Sequence, residues 1–319
     1  MFLGDEAARS EWLDIASVYI KSAEHYVGAL KRWPSSLRSL VYPFVHGRRQ
    51  MRTQFNQGRQ IVSEALRKKR TTAGAATTCN PPSLLDLFSS GKFADSVHND
   101  EEHAVTQMNL CVAAIQAQSA TVMQCVVDLS AYPEYVPELR EEIEAALRST
   151  NGEWNKDSLG QLLKLDSFLK ETQRLNSPDL ISLQRKTRDP LKLSNGLHLP
   201  KGITLLLPTG AINMDPAYFD SPEQFDGFRY YKQRLRSEDD ATRHQLVTVG
   251  KKDLAWGYGR HACPGRFMAD VVMKMIMVEF VMRYDIRAPS SGVARPENII
   301  TEGILAPDPN WEVALKQRL

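Results

Sequence analysis

The chain has 319 residues, with 40 Lys and Arg against 38 Asp and Glu, a formal net charge of +2. That near-balance argues against a nucleic-acid protein held by bulk charge, and 42% hydrophobic with 24% charged residues is a globular rather than a disordered composition. The cysteines, Cys79, Cys111, Cys125 and Cys263, are widely spaced and form no CxxC pair, which argues against a disulfide scaffold and a zinc ribbon. The opening MFLGDEAARSEWLD lacks the apolar core of a signal peptide, and no apolar run approaches the ~18 residues of a membrane-spanning helix. These features predict a soluble, intracellular chain, or a part of something larger.

Residues 11–30 carry apolar side chains at helical spacing, closed by Trp33-Pro34. Residues 48–70 form a second helical stretch. Its runs Arg48-Arg49 and Arg67-Lys68-Lys69-Arg70 read as a solvated face, with an anionic surface or partner as the alternative. Residues 71–98, opening on TTAGAATTCNPP, read as a linker. One long helix over 99–129 follows, and Tyr132-Pro133 breaks it. Further helices are predicted over 135–148 and 162–175, the second stopped by Asn176-Ser177-Pro178. Residues 191–207, with turns at Asn195-Gly196 and Pro200-Lys201-Gly202, predict two short strands. Residues 208–255 read as mostly irregular, 265–284 as a final strong helix, and short strands and loops finish the chain. The fold class is mainly α, an α+β chain with a minor, late sheet.

The most informative segment is WGYGRHACPG, from Trp256 to Gly265. Gly257 and Gly259 permit a tight turn with backbone conformations that side chains forbid. Pro264 suits the first turn of a helix, where its missing N–H is not needed. Cys263 is thereby expected at the start of the 265–284 helix. A helix N-terminus supplies positive potential and free N–H groups, which lower a thiol's pKa. A thiolate so placed is a metal ligand or a nucleophile; the plain alternative is a structural cysteine beside a glycine turn.

These ten adjacent positions resemble the haem-binding loop of the cytochrome P450 family, Phe-x-x-Gly-x-Arg-x-Cys-x-Gly in its usual form. They are closest in form to the loop of filamentous-fungal P450s of secondary metabolism. Trp256 takes the Phe position, Gly259 the motif Gly, and His261 the usual Arg position, with Arg260 beside it. The resemblance implies that Cys263 is the axial thiolate of a haem b iron, where it favours O–O cleavage. It implies that Arg260 and His261 pair with haem propionates as charge-assisted donors. Trp256, Gly257 and Gly265 would frame the cofactor. Arg185 is a further candidate for a propionate, an exposed Arg being the alternative.

Glu171-Thr172-Gln173-Arg174 places Glu and Arg three apart on one helix face. Alone this is a surface ion pair, but ahead of a Cys loop it resembles the P450 Glu-x-x-Arg motif. The family's third partner is matched by Arg229 in Phe225-Asp226-Gly227-Phe228-Arg229, and the implied role of the three is structural. In the long helix Ala113 and Ala117 leave a small face, suited to helix packing or to a planar ligand. The resemblance puts the family's distal helix here, where an acid, amide or His followed by Thr organises water for proton delivery. This chain departs from that pattern: Gln116 holds the polar position and Ala117 the Thr position, with Gln118 and Ser119 following. Oxygen activation is therefore expected to be poorly coupled, or to use an atypical relay through Gln116, Gln118, Ser119 and solvent. Asn80-Pro81-Pro82 with Leu84-Leu85-Asp86 resembles the segment before the distal helix. Residues 181–183 are expected to line the substrate pocket, and Arg266 and Lys274 a basic surface for an acidic reductase.

The implied organisation is a single P450-like domain over 1–319. Residues 1–70 supply distal-pocket helices, 99–132 the distal helix, 162–175 the Glu-x-x-Arg helix, 190–255 strands and meander, and 256–284 the Cys loop and proximal helix. Family chains have a further portion in front, with the anchor, so this chain reads as N-terminally truncated. The implied activity is monooxygenation of a small apolar, terpenoid- or polyketide-like substrate in secondary metabolite biosynthesis. Electrons would come from NADPH through a cytochrome P450 reductase. No nucleic acid is implied; peripheral contact with the endoplasmic reticulum membrane is. The alternatives are a non-redox cyclisation or isomerisation, motivated by Ala117, and a catalytically inactive haem-binding remnant.

Overall fold

The computed structural model describes residues 10–72, 83–89, 99–288 and 294–318. Cys79 and Asn80-Pro81-Pro82 lie outside them. The chain forms two compact units, Met1–Gln116 and Ala117–Leu319.

The first unit contains α1 (Ser10–Lys31), α2 (Arg38–Val41), α3 (Arg48–Thr72), α4 (Leu84–Ser89) and the first half of α5 (Asp100–Ala131). Trp12, Ile15 and Ala16 recur at helical spacing on α1 and are buried with Val62, Ala65 and Leu66 of α3 and with Ala104, Met108 and Cys111 of α5. Gly58 makes this approach feasible, since a Cβ there would lie 2.9 Å from Met108 Sδ. The other face of α3 carries Arg49, Arg52, Arg59, Arg67 and Lys68, all exposed. Helix α4 falls inside the stretch expected to be a linker. Ser83 caps it: the Ser83 amide and hydroxyl donate to Asp86 Oδ2 at 2.8 and 2.6 Å, and the Asp86 amide donates back to Ser83 Oγ at 3.2 Å.

Helix α5 opens with Asp100, Glu101 and Glu102, which suit the positive end of a helix. It is long and apolar enough to cross a membrane by length and composition, alone in this among the described residues. This corrects the expectation that no such stretch exists. Its Gln, Thr, Asn and Ser residues interrupt any apolar run, but no charge intervenes between Glu102 and Asp128. Its buried residues enter the cores of both units, Ala104, Met108 and Cys111 in the first and Val122, Cys125, Val126 and Leu129 in the second.

The second unit continues with a 3-10 turn (Pro133–Tyr135), α6 (Val136–Ser149), α7 (Lys156–Gly160), α8 (Leu163–Leu175), β1 (Ser182–Lys186), β2 (Leu191–Lys192), β3 (His198–Leu199) and β4 (Thr204–Leu207). Then come α9 (Thr209–Asn213), α10 (Arg229–Arg234), α11 (Arg266–Arg283), β5 (Tyr284–Arg287), β6 (Ile299–Thr301), β7 (Ile304–Ala306) and β8 (Ala314–Gln317). The strands pair antiparallel in twos, β1 with β4, β2 with β3, β5 with β8 and β6 with β7. The Asn195-Gly196 turn closes β2–β3, with Gly196 at φ +88°. The expectation of two strands over 191–207 is corrected: β4 pairs back to β1, whose register shifts between Ser182 and Arg185 where Leu183 holds φ +50°. The stretch 208–255, expected to be irregular, contains α9 and α10. The core packs α5, α6, α8 and α11 through Leu129, Leu139, Ile143, Phe168, Leu169, Met273 and Met277. Tyr132 stacks on Phe225 at 4.7 Å, and Tyr135 meets Phe168, Phe225 and Phe228 edge-on.

Candidate functional site

Helix α8 carries Asp166, Lys170, Glu171 and Arg174, yet Leu165 through Arg174 is buried without a break. Charges survive burial only when paired and hydrogen-bonded, and here each is. Arg174 grips Glu171 with both prongs, Nε to Oε2 at 2.9 Å and Nη2 to Oε1 at 2.7 Å. Arg229, at the start of α10, donates from Nε to Glu171 Oε1 at 3.0 Å, and the Asp226 amide reaches the same oxygen at 3.2 Å. The remaining guanidinium donors go to backbone. Arg174 Nη1 donates to the carbonyls of Asn213 and Pro222, both at 2.7 Å, and Arg229 Nη1 to Asp220 at 2.7 Å. The structure thus brings Glu171, Arg174 and Arg229 together in one buried, satisfied cluster that pins the 213–229 segment onto α8.

A second cluster on α8 escaped sequence reasoning. Asp166 receives Lys274 Nζ at 2.7 Å, Arg234 Nη1 at 3.4 Å and the Leu246 amide at 2.9 Å. Lys170 Nζ pairs with Asp253 at 2.9 Å and donates to the Gln245 carbonyl at 3.0 Å. Burial pulls the Lys170 ammonium pKa down, partly opposed by Asp253. Lys274 is also desolvated, but Asp166 and Asp270 outweigh that and leave its pKa above the usual lysine value. The expected basic surface at Arg266 and Lys274 is therefore corrected. Lys274 is 6% exposed and bound to two carboxylates. Arg266 donates to the Cys263 carbonyl at 2.8 Å and lies over Phe267.

The Cys loop is built on positive backbone angles. Gly257 has φ +75° and Gly259 φ +66°, and a Cβ on Gly257 would meet the His261 carbonyl oxygen at 3.3 Å. Gly259–His261 forms a 3-10 turn, and the Cys263 amide donates to the Trp256 carbonyl at 2.7 Å, closing the loop. Pro264 lies outside the helix it was expected to open, since Gly265 is the N-cap and Arg266 the first helical residue. A two-residue turn separates Cys263 from α11 for that reason. Cys263 is a free, half-buried thiol, whereas Cys111 and Cys125 are fully buried. Burial pushes Cys111 up to about 11 and Cys125 higher still, which leaves both as inert core residues.

Among the described residues no three His, Cys, Asp or Glu side chains converge on a metal position. Cys263 is thus a single donor, suited to a metal that brings its other ligands in a macrocycle. Arg260 and His261 are exposed, and no carboxylate pairs with either among the described residues. A Cβ at Gly259 or Gly265 would meet nothing within 4 Å, so open space borders the loop on both sides of the cysteine. The residues fit haem. Arg185 lies exposed on β1 and donates to its neighbour's carbonyl, that of Gln184, at 2.8 Å.

The four distal residues are not wired together. Gln116 is exposed and its amide donates to Glu24 Oε1 on α1, a partner not anticipated from sequence. Ala117 is exposed, and its carbonyl accepts from Thr121 Oγ1 at 3.0 Å. Gln118 is half-buried and Ser119 exposed. Asp128, further along α5, is wholly buried and anchors another unforeseen network. It takes Thr172 Oγ1 at 2.7 Å, Asn176 Nδ2 at 3.4 Å and the Arg295 guanidinium. Burial raises its pKa, with Arg295 opposing. The available signal was that Asp128 is the only charged residue between Glu102 and Glu134.

A family model described as Cytochrome P450 matches residues 15–315. The chain is 33% identical to cytochrome P450 monooxygenase AN1598 of Emericella nidulans, covering 100% of this chain and 60% of that protein. It is 35% identical to cytochrome P450 monooxygenase olcJ of Penicillium canescens (100% and 60%) and 31% identical to cytochrome P450 monooxygenase braC of Annulohypoxylon truncatum (99% and 64%). The chain belongs to the cytochrome P450 family, with the mainly α fold expected of it. It spans about three fifths of the length of these relatives.

Proposed function

We propose that this chain carries the thiolate side of a haem-dependent monooxygenase. One oxygen atom of dioxygen enters an apolar substrate and the other leaves as water, with two electrons drawn from NADPH through a cytochrome P450 reductase. The observation that carries this reading is the closed Cys263 loop with Arg260 and His261 exposed at its rim, neither paired with a carboxylate among the described residues. Haem, when bound, supplies the redox chemistry. The protein's part is to offer the Cys263 thiolate and to meet the propionates with Arg260 and His261. A terpenoid- or polyketide-like substrate from secondary metabolism is part of this proposal, and the relatives named above support the monooxygenase class alone. Peripheral membrane contact, on the endoplasmic reticulum, is supported by the segment joining α1 to α3. Trp33, Leu37, Leu40 and Phe44 are exposed there, Phe44 by 88%, among Lys31, Arg32 and Arg49. The experiment is the ferrous–CO absorption spectrum of the haem-reconstituted chain. A Soret band at the thiolate position is expected; its absence in a protein that does bind haem would overturn the reading.

A second reading, cyclisation or isomerisation without redox chemistry, is favoured by one observation. Ala117 offers only a methyl group where a proton relay needs a hydroxyl, and the Gln116 amide is already bound to Glu24. Turnover by haem-free protein, surviving Cys263→Ala, would establish it.

A further inference from the structure

Trp256 contributes a group that the phenylalanine usual in this loop does not have, an indole N–H. It donates to the Leu246 carbonyl at 2.7 Å. Leu246 is 1% exposed and is itself held from α8, its amide on Asp166 Oδ2 at 2.9 Å. The adjoining Gln245 carbonyl is held by Lys170 Nζ at 3.0 Å, and Lys170 also binds Asp253 three residues ahead of Trp256. From the other side, the Trp256 carbonyl receives the Cys263 amide at 2.7 Å. A continuous line of hydrogen bonds therefore runs from α8 through Leu246 and Trp256 to the backbone of Cys263. It is separate from the Glu171–Arg174–Arg229 cluster. Lys170, Tyr230, Asp253 and Trp256 also border a cavity of about 20 Å³, room for one water among polar groups.

We propose that Trp256 is a positioning residue for Cys263: its indole N–H ties the Cys loop to α8 and fixes where the sulfur stands. The inference rests on the haem-thiolate reading for its spectroscopic consequence, but not for its mechanical one. A tethered loop presents the sulfur in one place; a loop held only by its own turn samples several. The tether then governs how long haem stays on the thiolate and how freely the thiol meets a reagent when haem is absent.

The test compares the full chain with Trp256→Phe, which keeps an aromatic ring and removes the N–H. In haem-loaded protein, transfer of haem to an excess of apomyoglobin gives the off-rate. The ferrous–CO spectrum gives the share of thiolate-ligated haem. In haem-free protein, mass spectrometry after iodoacetamide pulses gives the alkylation rate of Cys263 itself. Trp256→Phe is expected to lose haem about three- to tenfold faster, the worth of one hydrogen bond, with a smaller thiolate share and a changed Cys263 alkylation rate. Benzothienylalanine at position 256, shaped like Trp but without the N–H, should reproduce these changes and serves if the Phe variant does not fold. Equal alkylation rates and, where haem binds, equal off-rates would overturn the tether. A parent chain that binds haem without a thiolate spectrum would sink the haem-thiolate reading alone, since the alkylation arm still decides the tether.

Discussion

The loop that carries Cys263 and the run from Gln116 to Ser119 are the two short stretches for which a redox role is proposed, and they are built in opposite ways. The first is tied through Trp256 to a neighbourhood of buried charge. Glu171 is 0% exposed and takes two arginines, Asp166 takes two more cations and a backbone amide, and Trp256 is bound from both ends. The second lies on a helix surface, with Gln116, Ala117 and Ser119 exposed. If Cys263 is a metal ligand, the hydrogen bonds of its loop keep the sulfur in place, which solvent could not do for a misplaced thiolate. A proton route along the second run would need only water and a few polar groups, and its exposed residues are expected to tolerate substitution.

Substitutions should follow this contrast. The largest effect belongs to Cys263→Ala, which removes the sole proposed protein donor to iron. Complete loss of the thiolate Soret band in the ferrous–CO spectrum is expected, with the far-ultraviolet circular dichroism unchanged. A surviving band would mean that another cysteine holds the iron. Next comes Glu171→Gln, which leaves Arg174 and Arg229 facing each other without their shared carboxylate. Stranding buried charge costs about 3–5 kcal/mol, read as a lower midpoint in urea. A change below about 1 kcal/mol would show that the backbone carbonyls around the two arginines suffice.

The same contrast explains what could be read from the chain alone. The Cys loop was legible because Gly257 and Gly259 need positive φ and Cys263 must follow at a fixed distance, so geometry leaves few sequences. Arg229 was reached through the family resemblance, which looks for an Arg among aromatic residues, though its helix was not, because α10 is six residues long and shows no period. Strand β1 was missed because a bulge at Leu183 breaks the alternation by which strands are recognised. The Asp166 and Lys170 clusters were hidden for another reason. On a helix as charged as α8, pattern reading assigns such residues to solvent, and their partners at Leu246, Asp253 and Lys274 lie far along the chain. The Glu24 contact to Gln116 joins residues 92 positions apart, with nothing in either helix to announce it.

Ala117→Thr restores a hydroxyl to the distal run. Because the site is exposed helix, the fold should tolerate it at about 0.5 kcal/mol, the propensity difference between the two residues. Product formed per NADPH consumed should rise by about tenfold or less, below the ~10²–10⁴ of a fully positioned acid. An unchanged ratio would show that this run does not limit coupling.

The smallest effect tests whether pH sensitivity, too, belongs to the wired region. His244 lies 3.5 Å from Asp240, one residue ahead of Gln245. Burial, reinforced by the Lys170 charge, lowers its pKa below 6.5, with Asp240 only partly opposing. The folded chain therefore binds this proton less readily than the unfolded chain, whose imidazole keeps the ordinary value. As pH falls through 6.5 the unfolded state takes up the proton first, so stability declines until the folded imidazole is protonated as well. His244→Gln removes the proton from both states. Urea midpoints of the variant should vary less with pH across this window than those of the parent chain, and parallel profiles would place the sensitivity elsewhere.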